Sequence, residues 1–181
     1  MFKFEFCLPT TGKVVPSAPE WFHEIKYDGF RIRLERDGDR VRLITRGGYD
    51  WTGRFPWIVE AARKNRRKQF VIDGDAVILG ADGVSAFNAL HSGRYNTEVQ
   101  LCAFDVLSIE GEDLRKLPLS MRKTNLERLL RGRPDGDLRQ PVRDGRDWTR
   151  SLPGGLSHGA GGTGVKASRS ALSGRSIERL D

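Results

Sequence analysis

Between residues 30 and 46, apolar and charged side chains alternate with a period of two, interrupted once by Asp37-Gly38-Asp39. Phe30, Ile32 and Leu34 interleave with Arg31, Arg33 and Glu35; Val41, Leu43 and Thr45 interleave with Arg42, Ile44 and Arg46. Successive side chains of a strand point to opposite faces, and Asp-Gly suits a tight turn, so the stretch predicts a β-hairpin. Gly47-Gly48 follow Arg46, where the backbone can open to admit a ligand. Further strands are predicted over Phe70 to Leu79 and Val99 to Ser108. Phe55, Ile58, Val59 and Ala62 recur at helical spacing, Phe87 to Leu90 form a short helical turn, and Pro118 opens a helix with Met121, Leu126, Leu129 and Leu130 on its apolar side. The pattern is that of an α+β chain, antiparallel sheets with packed helices.

Immediately upstream of the hairpin stands His23-Glu24-Ile25-Lys26-Tyr27-Asp28-Gly29. A lysine at a strand end beside a tight turn has little freedom and can serve as a nucleophile. Its amine must first lose a proton, which burial or cationic neighbours favour, and Arg31 and Arg46 flank it. The same residues also describe a surface lysine before a type I′ turn. Asp73-Gly74-Asp75 interrupts the next apolar strand, and alternation sends both carboxylates to one face. A buried carboxylate is costly unless paired, hydrogen-bonded or bound to metal, so these either pair with the arginines or help hold a metal nucleotide. Phe104, beside Asp105, is a core residue by default or a platform for a nucleobase.

A net charge of +7 over 181 residues suggests an anionic partner such as nucleic acid. The run Arg63-Lys64-Asn65-Arg66-Arg67-Lys68 at the end of the predicted helix is either a solvated face or a phosphate contact. Cys7 and Cys102 are too few to imply a disulfide framework, Met1 to Thr10 lacks a signal-peptide pattern, and no apolar run approaches a membrane span. A cytoplasmic protein with no membrane partner is expected. His23, His91 and His158 are read as structural or solvent-facing.

Residues 5 to 136 resemble the adenylation domain of ATP-dependent DNA ligases, covalent nucleotidyltransferases, and most closely the bacterial ligases of non-homologous end joining. Lys26-Tyr27-Asp28-Gly29-Phe30-Arg31 is similar to the family's Lys-x-Asp-Gly-x-Arg; Thr45-Arg46-Gly47-Gly48, with Asp50, Thr52, Arg54 and Phe55, is similar to the next motif. Asp73-Gly74-Asp75 stands where the family has Asp-Gly-Glu, and Phe104-Asp105-Val106-Leu107 where it has Phe-Asp-x-Leu. The resemblance implies an ATP-grasp-like nucleotidyltransferase fold and a reaction in which Lys26 attacks the α-phosphate of ATP. The AMP then passes to a DNA 5′-phosphate. Glu24 would contact adenine, with Ile25 in the same nucleotide-binding set; Arg31 and Arg46 would contact sugar and phosphates. Phe104 would stack on the base, and Asp75 would meet ribose or Mg²⁺ (or Mn²⁺). Nicked or broken double-stranded DNA and end-joining repair proteins are the implied partners.

Along the chain, residues 1–20 read as an extended lead-in and 21–136 as a partial adenylation domain. Residues 137–181 read as an irregular tail rich in Gly, Ser and Arg, with the oligonucleotide-binding domain absent. The family's Glu-Gly-x-Val-x-Lys is missing there. Read one nucleotide later, the codons of Ala160 to Lys166 permit Leu-Glu-Gly-Leu-Val-Ser-Lys, so a frameshift is expected near Gly136 to Asp137. Two rival expectations stand beside ligation: RNA ligation or capping-type guanylylation, and a non-catalytic remnant with weak nucleotide or DNA binding.

Overall fold

The computed structural model describes residues 4–8, 10–11, 21–131, 138–139, 164–169 and 177–179. The predicted hairpin is present, with β3 (Phe30–Asp37) pairing β4 (Arg40–Thr45) in a register that sets Leu34 opposite Leu43. Gly38 turns it with φ +61°. Alternation then does what the sequence requires, with Ile32, Leu34, Val41 and Leu43 buried.

Strand β3 also pairs with β5 (Gln69–Val77), which pairs with β6 (Gln100–Ile109). With β7 (Glu112–Asp113), the sheet runs β4-β3-β5-β6-β7, each neighbouring pair along this path antiparallel. A short β8 (Leu138–Arg139) joins β6 in parallel. Helices α1 (Pro56–Arg63) and α3 (Leu119–Leu130) pack against this sheet, and α2 (Phe87–Ser92) follows β5. The core between them gathers Leu34, Leu43, Ile58, Ile72, Leu101 and Leu126, each fully buried. Each such side chain contributes about 1.5–3 kcal/mol on leaving water.

A second sheet carries β2 (Trp21–Lys26), in the order β1-β10-β9-β2, where β1 is Thr10–Thr11, β9 Gly164–Arg169 and β10 Ile177–Arg179. Three strands therefore fall within the stretch read as an irregular tail, and one within the lead-in, of which residues 4–8 are also described, in no regular element; the rest of both stretches lies outside the described residues. The pairing has a simple cause: the backbone N–H and C=O groups of β2 need partners, and β9 supplies them from Trp21↔Arg169 to Lys26↔Gly164.

Two glycines are fixed by close backbone approach. A Cβ on Gly29 would lie 2.5 Å from the Ala76 carbonyl oxygen, and one on Gly74 would lie 2.7 Å from that of Cys102. Lys26-Tyr27-Asp28-Gly29 is consequently no hairpin turn. It carries the chain from one sheet to the other, since β2 pairs with β9 and β3 with β4 and β5.

Two helix expectations change. Met121 is 51% exposed, while Lys123 is buried on the core side of α3 beside Leu126. The basic run lies mostly past α1: only Arg63 is in its last turn, and Arg66, Arg67 and Lys68 follow in the connection to β5. The carbonyls at the end of α1 are satisfied instead by buried Arg36 of β3, which donates to Ala62 at 2.6 Å and Asn65 at 2.8 Å.

Candidate active site

Alternation along β2 puts Glu24 and Lys26 on one face and Ile25 on the other. Glu24 and Lys26 line a cavity of about 420 Å³. Ile25 is absent from the lining and is 38% exposed, which removes its side chain from the expected site. The remaining walls come from residues 27–31, through the crossing into the start of β3, from Thr45, Arg46 and Gly47 at the end of β4, from Trp51 beyond it, from Asp75 of β5 and from Phe104 of β6. The volume falls in the roughly 300–1,000 Å³ range of small-ligand cavities. Apart from Ile25, every residue singled out in the sequence for this site reaches this one space.

The Asp28 N–H donates to the Ser85 hydroxyl at 3.0 Å and pins the turn that follows Lys26. Arg31 is held on several sides. Its Nε and Nη2 donate to the two oxygens of Asp73 at 3.1 and 2.8 Å, and its Nη1 donates to the Cys7 carbonyl at 2.6 Å. A guanidinium has five N–H donors, so two remain beyond these three bonds. The group also lies over the rings of Phe6 and Phe104, with its carbon 5.4 and 5.2 Å from their centroids. Burial acts to lower the Arg31 pKa, but the hydrogen bonds and charge of Asp73, with the charge of Asp75, outweigh it and hold the guanidinium above its ordinary value. Burial pushes the Asp73 carboxyl up, against the pull of Arg31. The two carboxylates on β5 thus divide: Asp73 anchors the arginine, and Asp75 lines the cavity.

Arg46 stands at the exposed rim, ahead of a closed turn rather than an open one. The Thr45 N–H bonds the Tyr49 carbonyl at 2.9 Å, the Gly48 N–H bonds the Thr45 carbonyl at 2.8 Å, and Gly48 has φ +85°. Beyond it Trp51 joins the wall, edge-on to Phe30 at 5.0 Å and covered by the Arg54 guanidinium at 4.2 Å.

Sequence reasoning missed Trp51, Thr45 and Tyr27 as lining residues, and it missed Lys123. The Lys123 ammonium donates to the Glu24 carboxylate and to the Phe104 carbonyl, joining α3 to β2 and β6. A signal existed: Leu119, Lys123, Leu126 and Leu130 share one helical stripe, which places a lysine in a core position. Arg122 next to it forks onto Asp105 at 2.9 and 3.1 Å.

Chemically, the site offers an amine at a strand end, cationic and carboxylate groups around it, and aromatic surface within reach. That set suits an anionic substrate with a flat ring and a nucleophilic attack on its charged part. Among the described residues no group of three or more His, Cys, Asp or Glu could hold a metal ion.

A family model described as an ATP dependent DNA ligase domain matches residues 11–144. The chain is 36% identical over 141 residues to a multifunctional non-homologous end joining protein LigD of Pseudomonas aeruginosa, covering 75% of this chain and 17% of that protein. It is 40% identical over 118 residues to a probable DNA ligase of Streptomyces coelicolor, covering 59% and 23%. Among solved structures it is similar to the ligase domain of Mycobacterium tuberculosis LigD, with TM-score 0.74 and 27% identity over 98% of this chain and 60% of that one. A mycobacterial DNA ligase D complexed with ATP gives TM-score 0.72 at 25% identity, over 99% and 61%. The chain therefore spans about a sixth to a quarter of these curated relatives and three fifths of the solved domains.

Proposed function

Because the chain belongs to the ATP-dependent DNA ligase domain family, we propose that its cavity binds ATP and that Lys26 is the residue that becomes adenylated. The observation that carries this is the convergence of Lys26, Arg31, Arg46, Asp75 and Phe104, drawn from five separate chain segments, on one space of small-ligand size. The Lys26 amine attacks the α-phosphorus: an N–P bond forms, the bond to the bridging oxygen of the β-phosphate breaks, pyrophosphate leaves, and the amine gives up a proton to solvent. Arg31 and Arg46 offset phosphate charge, Phe104 and Trp51 offer ring surface to the base, and Glu24 borders the adenine end. Phosphoryl transfer depends chiefly on positioning and charge neutralisation, which these groups supply.

Mg²⁺ fits as a companion of the nucleotide. It commonly takes one or two carboxylates with the remaining positions filled by phosphate oxygens and water, and Asp75 is the cavity carboxylate suited to hold it. Bound there, it would neutralise triphosphate charge.

The AMP would pass to the 5′-phosphate of a nick or break in double-stranded DNA, with end-joining proteins as partners and the cytoplasm as the setting. The net charge of +7 and the names of the relatives support this, and no helix among the described residues is long and apolar enough to cross a membrane. The frameshift near Gly136 remains part of the proposal. In the shifted reading Val-Ser-Lys falls at residues 164–166, where β9 begins its pairing with β2, so the slot beside the nucleophile's strand is where that motif would sit. Nucleotide sequencing across the tail tests it, and a tail without a ligase-like second frame refutes it.

The adenylation reading is tested by incubating the chain with labelled ATP or GTP and Mg²⁺. An acid-labile ATP adduct that Lys26→Ala abolishes is expected. A GTP adduct would point to capping chemistry, and no adduct in folded protein to a non-catalytic remnant.

A further inference from the structure

The groups assigned to the reaction sit on two sheets. Lys26 ends β2 in one; Arg31, Asp75 and Phe104 belong to the other. Covalent transfer requires the amine to approach the α-phosphorus closely, while the phosphate and base are held by the opposite sheet. A misplacement of about 1 Å can cost roughly 100-fold in rate. Whatever sets the spacing of β2 from β6 therefore sets the rate.

Lys123 spans that gap. Its ammonium donates at once to the Glu24 carboxylate on β2 and to the Phe104 backbone carbonyl on β6, and it is only 6% exposed. Glu24 lies two residues before Lys26 on the same face, about 7 Å along the strand. Phe104 lines the same cavity. The helix that bears Lys123 is itself fixed on β6: Arg122 forks onto Asp105 and its Nη1 donates to the Leu117 carbonyl at 2.7 Å. A charged pair this deeply buried is a poor route to stability, since taking both ions out of water offsets most of their attraction.

We propose that Lys123 is a positioning residue: by bonding Glu24 and the Phe104 carbonyl together, it sets the distance between the Lys26 amine and the substrate held on the other sheet. This rests on the adenylation reading given above. The link is geometric, so its loss slows the covalent step more than it weakens nucleotide binding.

The test uses the full chain and measures lysyl-AMP formation across ATP concentrations, with a thermal melt of each variant. Lys123→Met should slow the step at saturating ATP about 100-fold while shifting the KM for ATP less than about threefold. Lys123→Met alone strands a buried carboxylate, so the Glu24→Gln/Lys123→Met double variant, which leaves no charge unpaired, carries the test if the single variant does not melt cooperatively. The double variant should regain the melting temperature and stay slow at saturating ATP relative to Glu24→Gln alone, which controls for the adenine contact and keeps an acceptor for Lys123. Lys123→Arg, which keeps the charge, should recover to within about tenfold of wild type. A double variant that adenylates at the wild-type rate would overturn the proposal, as would a defect confined to KM. A wild-type chain that forms no adduct overturns the adenylation reading itself, and this proposal with it.

Discussion

Replacing Gly29 by alanine would add one methyl group at the most crowded point of the crossing between the sheets. The new Cβ would lie 2.5 Å from the Ala76 carbonyl oxygen and 2.7 Å from Val77 Cγ1, against an ordinary contact of at least 3.4 Å. The deficit, nearly 1 Å, falls on the β5 backbone and not on a flexible side-chain tip, so the turn must move away from the sheet. Overpacking of this kind costs about 1–3 kcal/mol, equivalent to a fall in melting temperature of roughly 2–12 °C for a domain of this size. Lys26 is three residues upstream, and a shift approaching 1 Å at the amine should slow adenylation about 100-fold. Gly53→Ala is the matched control: no atom lies within 4 Å of its Cβ and its φ is not positive, so its stability should stay within about 1 kcal/mol of wild type. Calorimetry and a gel assay for the ATP adduct read both effects. Wild-type melting and adenylation in Gly29→Ala would refute the reasoning, because the crossing could then not be as tight as described.

Asp73→Ala should destabilise the chain by about 3–5 kcal/mol in a urea titration, since it leaves the part-buried Arg31 guanidinium without its fork; a change below about 1 kcal/mol would contradict the pairing. Hydrogen bonds from the Thr52 side chain and backbone, with help from Arg42, hold the Asp50 carboxyl below its ordinary value. A carboxyl depressed in the folded state adds stability above its unfolded pKa and loses it as pH falls through the folded one. Asp50→Ala should therefore lower the melting temperature at pH 7 by an amount worth about 0.5–1 kcal/mol, given its exposure, and the difference should vanish in acid below both values. Arg66 and Arg67 line a second cleft of about 690 Å³ with Lys64, Arg128 and Arg131. Their joint replacement by glutamine should weaken duplex DNA binding and reduce the salt slope by roughly 2, measured by fluorescence anisotropy over a salt series.

The hairpin of β3 and β4 was legible because a period of two over sixteen residues leaves a strand pair few alternatives. The end of β2 at Lys26 was legible too, but the crossing after it was not. Asp-Gly reads locally as a hairpin turn, and the real constraint on Gly29 comes from β5, some forty-seven residues away in sequence. The same limit explains the two aspartates. Register places Asp75 opposite Arg31, yet the arginine forks diagonally onto Asp73, beside a register shift between β5 and β6 that no local pattern announces. Hydrophobicity alone puts Met121 on the core side of α3, whereas the core position belongs to Lys123, whose charge is matched by residues on two other elements. Ile25 reads with its neighbours as nucleotide-binding, and strand alternation turns its side chain off the cavity wall.

Lys26 lines the cavity, and its amine is the group proposed to bond to the nucleotide. The most direct test is peptide mapping by mass spectrometry under mildly alkaline conditions after incubation with ATP and Mg²⁺. A single AMP on the peptide containing Lys26, released by acid, is the expected result. AMP carried on another residue, or none on folded wild-type chain, would contradict it.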